Sequence, residues 1–351
     1  MISNRLTTIV RCPDCRGILA DLVCQGCGRR YLSPNGAYLD LRPLTSFTET
    51  TKYLDEALHA DRRHETVSPP LLSAAIRNDM LRAFLAPGPA DRVVDLGCGS
   101  GRSLVWNQDL GAYQVGVDVS PHFAKEALAG VDLLIGELRR LPLADGAFTK
   151  AFTLDVAEHL SRESLLDMLK EAARVLAPSG TLFVYTHVRK NSPLALGLRA
   201  INNVARGFER LGLIDLRQER LRKSDHLNPL ADIDDFQRIA AEAGFRVARI
   251  RYYTPLVSAL VENLLVRLAE GILARRAARR FTSSGNSSSG DQVRPDEAEA
   301  LRAARLEAKR RIERRGPTYA ALRALTWLMK LDILLFGRIR SGPFFALLIK
   351  E

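Results

Sequence analysis

Residues 92–102 read Arg-Val-Val-Asp-Leu-Gly-Cys-Gly-Ser-Gly-Arg, and no other run in the chain restricts the fold as strongly. A short apolar strand, Val93 to Leu96, enters a bend of alternate glycines and leaves into a helical pattern. Gly97, Gly99 and Gly101 let backbone N–H groups approach a ligand closely, and the helix N-terminus behind them favours a carboxylate or phosphate. The spacing is G-x-G-x-G rather than the G-x-G-x-x-G of dinucleotide sites, and Asp95 stands two residues ahead of it. A second strand-like run, Gln114 to Val117, ends in Asp118, twenty-one residues after Gly97. An acid at that place can accept hydrogen bonds from ribose hydroxyls. A third run, Val131 to Ile135, ends at Gly136-Glu137. Acids that follow successive strands predict an α/β fold whose parallel sheet binds its ligand along the carboxyl edge. No G-K-[ST] follows the loop, which argues against a nucleoside triphosphate.

Four of the five cysteines fall within sixteen residues, as Cys12-Pro-Asp-Cys15 and Cys24-Gln-Gly-Cys27. Each C-x-x-C can place two thiolates on one ion, so two such knuckles complete a tetrahedral zinc site. Two disulfides are the alternative, and a reducing cytosol favours the metal. Such a closed site is structural. The fifth cysteine, Cys98, reads as a small residue between glycines.

With 351 residues the chain has room for one large domain with attachments, or for two. A composition of 46% hydrophobic and 26% charged residues excludes wholesale disorder and fibrous classes. No apolar run reaches the ~18 residues of a transmembrane helix. The stretch Leu6 to Val10 between two arginines is too short for a secretory core. A cytoplasmic protein is expected. The net charge of +11 is uneven: nine basic residues against three acidic at 188–223, five against one at 264–281, and seven against two at 301–315. Outside these segments the chain is net negative, so an anionic partner should meet them.

Residues 12–41, with Tyr31 and Asn35-Gly36 after the second knuckle, resemble the short zinc ribbon fused ahead of several bacterial methyltransferases. That ribbon also occurs alone as a methyltransferase-activating partner. Val94 to Gly101, Asp118 and Glu137 resemble the first motifs of class I S-adenosylmethionine (SAM)-dependent methyltransferases of the type 11-like group. Leu141-Pro142-Leu143, Phe148-Thr149, Glu158-His159 and Arg174 to Gly180 match its later landmarks. Thr149 replaces the usual Asp there, and Ser179 the first Gly. The resemblance implies a Rossmann-like seven-stranded sheet with the zinc ribbon in front and a helical insertion before the last strand. It implies SAM as cofactor, held by Asp95, Gly97, Gly99, Gly101, Asp118, Val119, Glu137, Leu138 and Asp155, and structural Zn2+ on Cys12, Cys15, Cys24 and Cys27.

The implied organisation is a ribbon at 1–44, N-terminal helices covering the cofactor at 45–90, and a methyltransferase domain at 91–253 completed by 343–351. A basic cap occupies 188–228. A basic amphipathic insertion fills 254–342, with a flexible Ser/Gly linker at 282–296. The insertion is expected to pack on itself or a second subunit, to lie on an anionic membrane, or to contact RNA.

The amine-methylating motif [DN]-P-P-[YF] is absent, since residues 155–158 are Asp-Val-Ala-Glu. That argues against an adenine or cytosine amine and leaves His159, His187 and His226 as candidate bases for a hydroxyl acceptor. Asp155-x-x-Glu158-His159 is also similar to the E-x-x-E-H cluster with which some ubiquinone-pathway and small-RNA methyltransferases hold Mg2+. The expected activity is O-methylation of a small or lipid-linked acceptor at a membrane surface. Ribosomal RNA methylation and a catalytically degenerate SAM-binding partner protein are the alternatives.

Overall fold

The computed structural model describes residues 2–45, 66–189, 194–214, 216, 226–272 and 316–351. Two strands of the cysteine segment, β1 (Leu19–Ala20) and β2 (Val23–Cys24), pair antiparallel. The next, β3 (Leu39–Asp40), leaves that unit and joins a large sheet. The sheet is completed by β4 (Arg92–Leu96), β5 (Tyr113–Asp118), β6 (Asp132–Ile135) and β7 (Phe148–Leu154). It ends with β8 (Leu176–His187), β9 (Phe245–Tyr252) and β10 (Pro343–Lys350). The order is β3-β6-β5-β4-β7-β8-β10-β9, and β10 alone runs antiparallel to both neighbours.

The seven expected strands are present, but among the described residues the sheet has eight. The eighth comes from the cysteine segment, where Leu39 and Asp40 pair in parallel with Leu134 and Ile135. Without it β6 would be an edge with a row of unpaired N–H and C=O groups. A two-residue strand has no periodicity to read, so the sequence gives no sign of it.

Strands β4 and β6 are buried almost throughout, which explains their unbroken apolar runs. Helix Arg162–Val175 is started by the Ser161 side chain, which accepts from the Ser164 N–H. It packs on the sheet through Leu165, Met168, Leu169, Ala172 and Val175, the i, i+3, i+4, i+7 stripe of an amphipathic helix. The cysteine segment shares that core: Leu6, Val10, Cys12, Leu39 and Leu41 lie in one buried cluster with Val94, Leu96, Val115 and Met168.

Polar anchors hold the same interface. Arg16 donates to Glu171 at 2.8 Å, and Glu171 also takes Arg174 and the Leu141 N–H. Burial works against the Glu171 charge, yet the two guanidinium groups hold its carboxyl below the ordinary range. Asp132, at the start of β6, accepts from the Ser3 N–H at 2.9 Å, the Ser3 hydroxyl and the Tyr113 hydroxyl at 2.7 Å. Asp132→Ala leaves half-buried donors of Ser3 and Tyr113 unpaired, so it is expected to cost about 1–3 kcal/mol. Thermal melting should register this as a fall of about 3–10 °C; an unchanged melting temperature would show that this anchor adds nothing.

Between β9 and β10 the chain forms a turn of helix, Leu256–Ala259, then a π-helix, Leu260–Val266. It returns through helices Pro317–Met329 and Leu331–Phe336. Fully buried Asp332 ties the two halves, accepting from the Val257 and Ser258 N–H groups at 2.8 and 2.7 Å. Glu262 takes the Ser73 N–H at 3.0 Å and its hydroxyl at 2.6 Å, so the insertion clasps the start of helix Ser73–Leu85. Helix Ala195–Arg210, from the basic cap, joins it through a cluster of Ala205, Ile214, Leu216 and Leu264. The linker at 282–296 and the charged run 297–315 lie outside the described residues, as do 46–65 of the expected N-terminal helices and 217–225 of the cap. Among the described residues no helix is long and apolar enough to cross a membrane.

Candidate functional site

The glycine loop leaves β4 at the carboxyl edge of the sheet, with Gly97, Gly99 and Gly101 at φ +86°, +53° and +77°. These are left-handed conformations that a side chain resists. A Cβ on Gly97 would stand 2.4 Å from Val156 Cγ2, whereas one on Gly99 would meet nothing within 4 Å. Gly99 thus borders open space, a cradle that fits a ligand approaching the backbone. Asp118 ends β5 beside it. Its Oδ2 accepts from the Gly99 N–H at 2.7 Å and its Oδ1 from the Ser120 N–H at 2.9 Å, which fixes the carboxylate and the turn through Val119. Asp95 is buried beneath the loop; burial, with Asp118 nearby, pushes its pKa well above the carboxylate range.

Two expected cofactor residues carry ion-pair partners of their own. Glu137 is gripped by Arg139, with Nε at 2.8 Å and Nη2 at 3.0 Å, while Leu138 beside it is buried. Asp155, just past β7 at φ +56°, lies 3.3 Å from Arg77.

The three histidines, distant in sequence, converge past the ends of β7 and β8. The rings of His159 and His226 meet edge to face at 4.7 Å, and His187 is 5.4 Å from His226. Glu158, nearly fully buried, lies among them. Thr186 donates to its Oε2 at 3.1 Å, and His187 Nδ1 stands 4.0 Å from Oε1. Burial, then the neighbouring Asp155, pushes the Glu158 carboxyl up to about 8. The N–H groups of Leu227 and Asn228 both donate to the Glu158 carbonyl, at 2.8 and 3.0 Å, which pins His226 in place.

The expected magnesium set does not assemble. Asp155 is turned to Arg77, and the donors that converge, Glu158, His159 and His226, are mostly nitrogen, where Mg2+ prefers oxygen. The cysteines do fit zinc. All four sulfurs lie within 4.8 Å of one another, with Cys15–Cys24 at 3.3 Å and Cys12–Cys27 at 3.7 Å. The thiols perturb one another: against the effect of burial Cys24 is lowered, helped by the Cys27 and Gly26 N–H groups and the Cys15 thiol, while Cys15 and Cys27 are raised, with Cys24 among the causes. Cys98 is buried near the glycine loop, apart from this cluster.

Residues 94–184, which hold the glycine loop, Asp118 and the Glu158-His159 pair, match the family model of a methyltransferase domain. The chain carries a methyltransferase domain. Among curated relatives, the mouse (Mus musculus) protein named probable tRNA methyltransferase 9B is 32% identical over 139 residues, 37% of this chain and 31% of that one. Ubiquinone biosynthesis O-methyltransferase of Xanthomonas campestris pv. campestris is 29% identical over 139 residues, 37% of this chain and 57% of that one. The chain thus spans about a third to somewhat over half the length of these relatives. The solved structure of Haemonchus contortus phosphoethanolamine N-methyltransferase 2 with SAM shares 16% identity at a TM-score of 0.46, over 88% of this chain and 60% of that one.

The sequence reading missed Arg77. It projects from helix Ser73–Leu85 towards the end of the methyltransferase domain's β7, over the Tyr185 ring at 5.5 Å. Burial opposes its charge, but Asp155, Tyr185 and Glu262 outweigh that and raise its pKa above the ordinary arginine value. The available signal was an arginine next to Ile76 on the buried side of a helix, and it has no motif.

Gly97→Ala and Gly99→Ala separate the loop's two roles. The first adds a clash and a strained φ, so it is expected to destabilise the domain by about 1–3 kcal/mol. The second carries a strained φ without the clash, so it should cost less stability than the first while crowding the cradle and weakening SAM. Calorimetry on the pair checks this, and equal behaviour of the two variants counts against the cradle.

Proposed function

We propose that this chain is a SAM-dependent methyltransferase that methylates an oxygen of a small or lipid-linked acceptor, in the cytoplasm and against a membrane surface. One observation carries the transferase reading: the methyltransferase-domain match lies over a glycine loop whose open position, Gly99, adjoins the fixed Asp118 carboxylate. When bound, SAM supplies a sulfonium-activated methyl group. Gly97, Gly99 and Gly101 would receive its amino-acid end, supported from below by Asp95. Asp118 would take the ribose hydroxyls, and Val119, Glu137 and Leu138 would border the purine. Asp155, with Arg77, would line the transfer side. The four cysteines would hold structural zinc and leave the chemistry to the sheet's carboxyl edge.

Transfer to a hydroxyl oxygen needs a base within reach of its proton. The converging imidazoles of His159, His187 and His226 supply candidates, and the relative from Xanthomonas is named an O-methyltransferase. A membrane-borne acceptor is supported by the insertion. Trp327 is 72% exposed and Leu334 71%, with Leu328 and Leu335 beside them and Arg323 and Arg338 flanking. Apolar side chains bordered by arginines suit an anionic lipid interface.

A second reading, RNA methylation, is favoured by the basic segments and by the relative named a tRNA methyltransferase. Incubation with methyl-tritiated SAM and cell extract, then fractionation, tests both. Label in lipid or small molecules supports the proposal, and label in RNA transfers it to the second reading. Tight SAM binding with no labelled product would mean a degenerate partner protein and overturn both.

A further inference from the structure

Half of the chain's six histidines gather around one buried glutamate, and the function above uses them only as alternative bases. The geometry points to a metal site: Glu158, His159 and His226 bind a first-row divalent ion of the zinc type. One ligand atom from each lies within 4.8 Å of the others. Ligand bonds of about 2.0–2.2 Å hold tetrahedral donors about 3.3–3.6 Å apart, so binding needs a closure of at most about 1.5 Å. Two imidazoles and one carboxylate suit zinc, manganese or iron, and three protein ligands leave positions open for water or substrate. His159 and His226 are only half-buried, so those positions reach solvent.

The carboxylate and the backbone beside His226 are both held in place. Thr186 donates to Glu158 Oε2 at 3.1 Å and orients the carboxylate. His226 lies 67 residues beyond His159 along the chain, yet the two N–H groups that follow it are bonded to the Glu158 carbonyl. His187 stands behind with Nε2 donating to Asn228 Oδ1 at 2.6 Å, a third imidazole locked in orientation. The site is distinct from the four cysteines, and it departs from the magnesium set suggested by the sequence, in which Asp155 was a ligand and His226 was not.

The test is the zinc content of the full chain after equilibration with excess Zn2+ and removal of free ion, without methyl donor or acceptor. Two equivalents are expected: one in the thiolate site and one here. His159→Ala and His226→Ala should each leave one equivalent, the second binding more than about 100-fold weaker. Imidazole NMR of the unmutated protein guards against misfolded variants. The second equivalent should shift His159 and His226 and leave His122 unmoved. Cobalt adds a further readout, because this site lacks the thiolate-to-metal charge-transfer band of the cysteines. A single equivalent, or a second that survives both substitutions, overturns the proposal. The transferase reading is untouched by that outcome, since it is tested by SAM binding and turnover instead.

Discussion

Stripping the zinc proposed for the cysteine site, or replacing Cys12 with serine, is expected to lower the melting temperature of the whole chain by about 10 °C or more. Structural zinc in small domains contributes about 10–16 kcal/mol of apparent binding free energy, much of it folding energy. Here that energy cannot remain local. Cys12 is fully buried in the same apolar cluster as Val94, Val115 and Met168, and β3 supplies an edge strand to β6. Arg16 to Glu171 and Ser3 to Asp132 add polar ties across the same boundary. A single cooperative transition shifted downwards is therefore expected by scanning calorimetry. If an early ribbon transition appears while the main one keeps its midpoint, the two parts are energetically independent and the shared core contributes little.

Asp118→Ala should weaken SAM binding by more than tenfold. A hydrogen bond to a charged group contributes about 1.5–3 kcal/mol, which corresponds to roughly 10- to 150-fold in affinity. The same carboxylate also accepts from the Gly99 and Ser120 N–H groups, so its removal loosens the loop that borders the cradle. The conservative Asp118→Asn keeps one accepting oxygen and should lose less. Calorimetric titration with SAM reads both variants. Unchanged affinity in the alanine variant would place the ribose elsewhere.

The two expectations differ in how far sequence alone supports them. The glycine loop and Asp118 were readable because local rules govern them: a left-handed φ demands glycine, and parallel strands buried on both faces demand unbroken apolar runs. The cysteine knuckles were readable for a similar reason, since a metal imposes its own short spacing. By contrast, Arg77, the strand Leu39–Asp40 and the Glu171 anchor carry no pattern, because each depends on a partner far along the chain. Glu137 was read as a cofactor residue from its place after a strand, but only the fold shows Arg139 two residues later closing on it.

Sequence by itself determined the α/β class, the cysteine cluster, the loop with its acids, and the helical segment between the last two strands. Those features follow from periodicity, backbone conformation and ligand spacing, all of which act within a few residues. Tertiary structure alone decided that the cysteine segment joins the main sheet as an eighth strand. It also decided that Asp155 turns to Arg77, and that His159, His187 and His226 surround Glu158. Such outcomes depend on packing and charge between elements tens to hundreds of residues apart, where the chain fold and not local spacing sets which groups meet.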